Sequence, residues 1–416
     1  MTRASTRTRV AVTAGRATGW LSRATGRGQG ATISGRVMNV IAPGALAELA
    51  RGQQVALVSA TNGKTTTTRL LASALRADGC SLVTNSTGAN LTSGIAPTLA
   101  SATEPGIAVL EVDERVLPRV VDPLGAELLV LGNLSRDQLD RYGEVHAVGS
   151  AWRRVAEQHP QLRIVANAAD PHVVWAAEPA NTTWVDLGVG WRNDAATCPR
   201  CGALLAWSDA GFHCPACGFA RPETANRLEG GTLVLDGERI PLALALPGRW
   251  NLANAALAVT AAVTHFGVAG SAAATAAATV DTVAGRYMSV PLGGGRTARV
   301  LLAKNPAGWT EVLHYLADRP GSVVIAVNAR VADGKDPSWL WDVPYELLRA
   351  NPAAASGDRC LDVAVRLRYA EVDHIVEPDP LAAARALAGD EIHIVASYTQ
   401  FSALYRRFGD QKQSVL

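Results

Sequence analysis

The chain has 416 residues, of which 48% are apolar and 18% charged, and a net charge of +2. That length predicts two or three domains with a large buried core, and the near-neutral charge gives no reason to expect nucleic acid or an acidic partner surface. No run of 18 uncharged apolar residues is available to span a membrane. The first stretch, Thr2 to Arg36, is rich in Arg, Ser, Thr and Gly and lacks the apolar centre of a secretory signal. Two readings fit it, a peripheral helix or a basic segment touching anionic lipid or phosphate. A cytoplasmic protein is expected.

Val55 to Val58 is a short β-branched run that reads as a buried strand. It breaks at Ser59–Gly63 and restarts as a helix with Leu70, Leu71, Ala74 and Leu75 on one face. Strand, tight turn with Gly63-Lys64-Thr65 and helix are the parts of a phosphate-binding loop. In such a loop Thr61, Asn62, Gly63 and Thr66 line the anion, Lys64 reaches the terminal phosphates and Thr65 can ligate Mg²⁺. The motif is incomplete, because the residue five before Gly63 is Val58 rather than Gly.

Further strands are expected at Ser81–Thr84, Gly106–Glu111, Glu127–Leu131 and Leu162–Ala166, each separated by a helical stretch. That alternation predicts an α/β fold with a parallel sheet, whose ligands gather at the carboxyl ends of the strands. Glu111 and Asp113 close one strand, Asn133 the next, and Asn167 and Asp170 follow the fourth. Glu111, the first polar residue after Ile107–Leu110, is the favoured second Mg²⁺ ligand; the competing reading is an acid capping the next helix. The polar segment Asn133–Glu144 reads by default as a solvated loop, but following a buried strand it is well placed to line a site.

Cys198-Pro-Arg-Cys201-Gly and Cys214-Pro-Ala-Cys217-Gly form two C-x-x-C knuckles twelve residues apart. Four thiolates at this spacing suit tetrahedral Zn²⁺, disulfides being the competing reading, and with no ligand position left for water the zinc would be structural. The ribbon is inserted at about 193–230, and a hairpin around Asp236-Gly237 resumes the fold. Cys80 and Cys360 are expected to be buried thiols. Pro247–Asn254 opens an Ala-rich helical region to about Ala278, where Asn251 and Asn254 either cap the helix or contact a base or ribose. Pro291–Arg296 reads as a linker. Beyond it the strand–helix pattern starts afresh at Arg299–Ala303, Ser322–Asn328, Asp373–Val376 and Glu391–Ala396, a second and smaller α/β domain. Within that domain, Asn328–Asp342 carries two Trp and three Asp and reads as a ligand site, an interface or a loop anchored by Trp packing.

These residues carry a resemblance. Ala60-Thr-Asn-Gly-Lys-Thr is similar to the ATP loop of the Mur ligases, which usually has Gly at position 60. Asn133–Gly143 resembles that family's Asn-x-x-x-Asp-His-Leu-Asp-Arg-His-Gly segment, and Asn167-Ala-Ala-Asp170 its Asn-x-Asp-Asp turn. Gly248–Asn254 and Gly285-Arg286 resemble family ATP-contacting motifs. The Cys₄ ribbon and the Ser-Trp-Leu-Trp-Asp segment ending at Asp342 are similar to the MurT branch, ligase subunits that work with a GatD-type glutaminase. The similarity spans roughly residues 35–410.

The resemblance implies a Mur ligase-like P-loop ATPase domain over 37–295 after a basic segment 1–36, and a Rossmann-like domain over 296–416 contacting the glutaminase. It implies ATP, Mg²⁺ and zinc as cofactors, with Thr61, Asn62, Gly63, Lys64, Thr65, Thr66, Asn133, Asn251 and Arg286 binding the nucleotide and Thr65 and Glu111 the Mg²⁺. The implied reaction amidates the α-carboxylate of D-Glu in the lipid II stem peptide through an acyl phosphate, with ammonia from the glutaminase. Membrane contact would come only through the lipid substrate, at the inner face of the cell membrane. Asp342 is then the residue that reaches the partner's Cys–His pair, with Asp333 and Asp336 as rivals. The sequence departs from the family at Gln138, where His is usual, and at Ser150-Ala-Trp-Arg-Arg154, which offers no Lys for carbamylation. Alternatives are an amino-acid-adding Mur or folylpolyglutamate-type ligase working alone, a zinc-ribbon nucleic-acid binder, or a scaffold that only retains ATP. The mostly apolar Ala203–Gly211 speaks against the nucleic-acid binder, and intact Lys64, Thr65 and Glu111 against the scaffold.

Overall fold

The computed structural model describes residues 4–25, 30–77, 79–85, 89–137, 145–188, 190–280, 287–319 and 321–408. The chain forms two compact units, Met1–Leu134 with Glu144–Asp281, and Ser135–Gly143 with Thr282–Leu416.

The first unit opens with three helices, α1 (Thr6–Ala24), α2 (Ala31–Ile41) and α3 (Ala45–Ala50). It continues through β1 (Gln53–Ser59), α4 (Lys64–Arg76), β2 (Leu82–Thr84), α5 (Thr92–Leu99), β3 (Gly106–Glu111) and α6 (Leu117–Leu124). Then come β4 (Leu128–Leu131), α7 (Val145–Gln158), β5 (Arg163–Asn167), α8 (Pro171–Ala177) and β6 (Asn181–Val185). The six strands make one parallel sheet in the order β2-β3-β1-β4-β5-β6. Such a sheet is buried on both faces, which is why its strands read as continuous apolar runs. Val55, Leu57, Leu110 and Leu131 pack under α5–α8, while Ala56, Val58, Val109 and Val130 pack under α4 and two later helices. Those are α9 (Arg249–Phe266) and α10 (Gly270–Ala278), the Ala-rich region, interrupted where Gly267 takes φ +74°.

Between β6 and α9 lie the ribbon hairpin β7 (Ala206–Ser208) and β8 (Gly211–His213), then an antiparallel sheet of β9 (Arg227–Glu229), β10 (Thr232–Leu235) and β11 (Glu238–Pro241). The β10–β11 turn falls at Asp236-Gly237, as expected from that dipeptide.

The second unit holds β12 (Tyr287–Gly293), β13 (Arg296–Leu302), α11 (Pro306–Ala317), β14 (Ser322–Ala326), β15 (Ala353–Ser356), α12 (Cys360–Tyr369), β16 (His374–Val376), α13 (Pro380–Ala386), β17 (Ile392–Ala396) and α14 (Tyr398–Phe408). Its sheet runs β12-β13-β17-β14-β15-β16, parallel except for the edge strand β12. The linker expected at Pro291–Arg296 is therefore a β-hairpin. Met288, Val290 and Leu292 are buried and alternate with exposed Ser289, Pro291 and Gly293, and an edge strand tolerates the proline. Strand β15 was not expected either, because Ala has low strand propensity; its four residues are buried among neighbours on both sides. Among the described residues no helix is long and apolar enough to cross a membrane.

Candidate functional site

Strand β1 delivers the chain to the turn Ala60–Gly63, and Gly63 starts α4 at φ +88°. A Cβ there would lie 2.3 Å from Asn254 Oδ1, so the turn needs glycine for its dihedral and for the close approach of α9. Asn254 Oδ1 also accepts from Thr67 Oγ1 at 3.2 Å, and Asn254 Nδ2 donates to Asn251 Oδ1 at 3.4 Å. Asn251 Nδ2 in turn donates to the Pro247 carbonyl at 2.6 Å. Both asparagines are buried and brace the wall of the phosphate loop.

Asn133, at the end of β4, clamps the other side. Its Oδ1 accepts from the Asn62 amide at 3.0 Å, its Nδ2 donates to the Asn62 carbonyl at 2.9 Å, and its carbonyl accepts from the Thr61 amide at 2.8 Å. These bonds make it a residue that shapes the loop. Lys64, buried at 7% exposure, donates from Nζ to Glu114 Oε2 at 2.8 Å and to the Thr61 carbonyl at 3.2 Å. Glu114 was missed in sequence, although it ends the same acidic run as Glu111 and Asp113. Thr65 and Thr66 are buried in the first turn of α4.

Glu111 is the last residue of β3, alongside Val58 of β1, and is 2% exposed. Asn85 bonds both its amide (2.8 Å) and its carbonyl (2.7 Å), and Asn90 Nδ2 donates to Oε1 at 3.2 Å. Its Oε2 is buried with no hydrogen-bond partner among the described residues. A buried, unsatisfied carboxylate oxygen is costly and is the donor that a hard cation requires. Thr65 and Glu111 thus supply the oxygen chemistry Mg²⁺ takes.

The other strand-end residues have structural tasks. Asp113 Oδ1 accepts from the Arg115 amide at 3.1 Å, and Asn167 Oδ1 from the Ala169 amide at 2.9 Å. Asp170 caps α8 through the His172 and Val173 amides and accepts from the Leu134 amide at 2.8 Å. Burial pushes its carboxyl above the usual range. Gln138, Gly285 and Arg286 lie outside the described residues. A concavity of about 750 Å³ in this unit is lined by Gln54, Asp122, Glu127, His159, Arg163 and His265 at the opposite, amino-terminal edge of the sheet.

The four ribbon cysteines place their Sγ atoms within 4.8 Å of one another, a cluster that could hold a metal ion. Gly202 and Gly218, at φ +78° and +72°, return their amides to the Cys198 and Cys214 carbonyls at 2.8 and 3.0 Å. Burial pushes the Cys198 thiol up to about 12. Burial opposes ionisation of Cys214 as well, but the amides of Cys217 and Ala216 bring it down to about 7. Amides aimed at sulfur fit a thiolate–metal knuckle. Phe212, Phe219 and Leu205 make the ribbon's own small core. Cys360 is buried as expected, but Cys80 is exposed because it sits in the turn before the edge strand β2.

In the second unit the three candidate aspartates separate. Asp333 is buried and fully engaged: Oδ1 accepts from the Thr399 amide at 2.7 Å, Oδ2 from Thr399 Oγ1 at 2.6 Å and the Arg330 amide at 3.2 Å. Asp336 is exposed and caps the Ser338 amide at 2.8 Å, which holds its carboxyl below the usual range. Asp342, ending the 3₁₀ turn Ser338–Asp342, is half-exposed and pairs through Oδ2 with Arg136 Nη2 at 3.1 Å. Trp339 packs on Trp309 (5.9 Å between rings), and the exposed Trp341 meets Tyr369 edge-on at 5.3 Å, so both tryptophans anchor the turn.

Two family models match the sequence, the Mur ligase middle domain over residues 58–262 and the MurT ligase C-terminal domain over 302–401. The subunit MurT of lipid II isoglutaminyl synthase (glutamine-hydrolyzing) from Streptococcus pneumoniae is 30% identical over 82% of this chain and 82% of its own length. Its counterpart from Staphylococcus aureus strain N315 is 30% identical over 86% and 87%. Among solved structures, a pseudomurein peptide ligase type C from Methanothermus fervidus superposes with a TM-score of 0.62 at 19% identity, over 87% of this chain and 79% of that one. Mycobacterium tuberculosis folylpolyglutamate synthase in complex with ADP gives 0.60 at 16%, over 88% and 92%. At these identities the two structures speak for the fold alone.

Proposed function

This chain belongs to the MurT family of Mur ligase-type subunits, and we propose on that footing that it amidates the α-carboxylate of D-Glu in the lipid II stem peptide to D-isoglutamine. It is an ATP-dependent ligase of peptidoglycan synthesis. A carboxylate is a poor electrophile; transfer of the γ-phosphoryl group of ATP onto its oxygen makes an acyl phosphate with a good leaving group. Ammonia then adds to the carbonyl carbon, and inorganic phosphate departs as the amide forms. The protein's share is alignment and charge neutralisation. Lys64 would exchange Glu114 for the terminal phosphates, the loop shaped by Asn133 and Asn254 would hold them, and Thr65 and Glu111 would hold Mg²⁺, which neutralises phosphate charge when bound. The observation that carries this reading is the buried Glu111 Oε2, without a hydrogen-bond partner among the described residues, at the end of the strand beside β1.

Ammonia would come from a GatD-type glutaminase subunit, whose histidine the half-exposed carboxylate of Asp342 would orient, as the third member of a triad does. The cysteine cluster would hold a structural Zn²⁺. The protein would work in the cytoplasm at the inner face of the membrane that carries its substrate.

The test is amidation of lipid II with ATP and Mg²⁺, given glutamine or an ammonium salt, with and without the co-expressed glutaminase. Ammonium should support the reaction without the partner, and glutamine only with it. Ligation of an added amino acid with no amidation from either source would instead make the chain an amino-acid-adding ligase.

A further inference from the structure

Residues 1–47 contain seven arginines and no acid, so with a chain total of +2 the remainder carries −5. Most of that charge lies on or beside α1, the outermost layer of its unit. Helix α2 packs inward on α5, where a Cβ on Gly35 would fall 1.7 Å from the Ser93 carbonyl oxygen. Helix α1 packs in turn on α2, where a Cβ on Gly15 would lie 2.6 Å from Met38 Cγ and one on Gly19 3.2 Å from the Gly30 carbonyl oxygen. Thr8, Ala11, Gly15 and Gly19 form this buried stripe of α1.

The opposite face of α1 has a definite pattern. Val10, Trp20 and Leu21 are 54%, 65% and 55% exposed. Arg9, Arg16 and Arg23, spaced by seven, form a row along one flank of that apolar strip, and all three are exposed. Arg16 donates to the Ala100 carbonyl at 2.9 Å yet still presents its charge to solvent. A helix with outward Trp and Leu beside an arginine row and no acid is built to lie in an interface, its apolar side chains at headgroup depth and its guanidinium groups on phosphates.

We propose that the outer face of α1 docks on an anionic lipid bilayer and holds the ligase at the membrane that carries its substrate. The proposal rests on the lipid II reading for its purpose, and on charge complementarity and the exposed Trp20 and Leu21 for its physics. Attraction of this kind weakens as salt shortens the Debye length, which is about 10 Å at 0.1 M.

The test is co-sedimentation of the full chain, in complex with its glutaminase, with vesicles of phosphatidylcholine alone or containing one-third phosphatidylglycerol. Binding is expected to the anionic vesicles only and to fall as salt is raised. Two variants, Trp20→Ser with Leu21→Ser, and Arg9→Gln with Arg23→Gln, should each bind about tenfold more weakly. Both should amidate a soluble, lipid-free substrate at the parental rate, which shows intact folding, while losing rate on vesicle-embedded lipid II. Undiminished sedimentation of both variants, or equal binding to neutral and anionic vesicles, would overturn the proposal. So would loss of the glutaminase from the variants, which would make this face a protein interface. If the parent binds anionic vesicles but amidates neither substrate, the docking face stands and the reaction assignment fails.

Discussion

Lys64 Nζ and Glu114 Oε2 form an ion pair at 2.8 Å inside the phosphate loop, with both side chains nearly buried. A buried lysine without a counter-charge is destabilising, and Glu114 supplies that counter-charge; on the proposed reading, phosphate oxygens would replace it in the nucleotide complex. Lys64→Ala should lower ATP turnover about 100-fold or more, because a donor aimed at developing phosphoryl charge is lost. Glu114→Gln should lower the melting temperature of the nucleotide-free protein, and ATP should then raise it by more than in the parent, since phosphate replaces the missing charge. Thermal melts with and without Mg-ATP check this; an ATP-induced rise no larger than the parent's would sink it.

Arg136 Nη2 meets Oδ2 of Asp342 at 3.1 Å. A carboxylate has capacity for further donors, so the same side chain can receive a histidine N–H from a partner while the arginine keeps its orientation. Asp342→Asn should cut glutamine-supported amidation by about a thousandfold while ammonium-supported amidation continues. Equal loss in both assays would place Asp342 in the ligase reaction instead. Asp333→Asn should behave differently and loosen the loop held to Thr399, visible as a lower melting temperature.

The ribbon makes a stoichiometric prediction. Metal analysis should find one zinc per chain, and Cys198→Ser or Cys214→Ser should lose it together with several degrees of thermal stability. Its distance in sequence from the phosphate loop and its closed ligand set predict that the residual ligase rate per folded molecule is kept. A preparation free of zinc with unchanged melting would refute the assignment.

His393 gives a pH dependence. It lies 2% exposed in the central strand β17, with neither ring nitrogen partnered among the described residues. Burial lowers its pKa from the ordinary 6.5, and the nearby Arg299 lowers it further. The unfolded chain therefore binds the proton first. Stability is complete above pH 6.5 and falls as pH drops from 6.5 toward the lowered folded value. Urea midpoints at pH 5.5 and 7.5 should diverge in the parent and converge in His393→Phe.

Much of this protein was legible without coordinates because it is written in local patterns. The phosphate turn, the C-x-x-C knuckles and the buried runs of β1, β3, β4 and β5 each depend on neighbours a few residues away, through chain reversal, metal spacing or strand period. Strands β12 and β15 were not legible, because an edge proline and a run of alanines carry weak propensity and become strands only by pairing with β13 and β14. Glu114 and Asn254 could not be placed either. Each acts on the loop around Gly63–Lys64 from 50 and about 190 residues away, and only tertiary packing brings such groups within bonding distance. The choice among Asp333, Asp336 and Asp342 has the same origin. The resemblance favours Asp342, and the fold adds each residue's neighbours: Thr399 beside the first, the Ser338 amide beside the second and Arg136 beside the third. Chemistry that rests on residue type and short spacing is decided by the sequence; which equivalent group is left available for chemistry is decided by what the folded chain puts beside it.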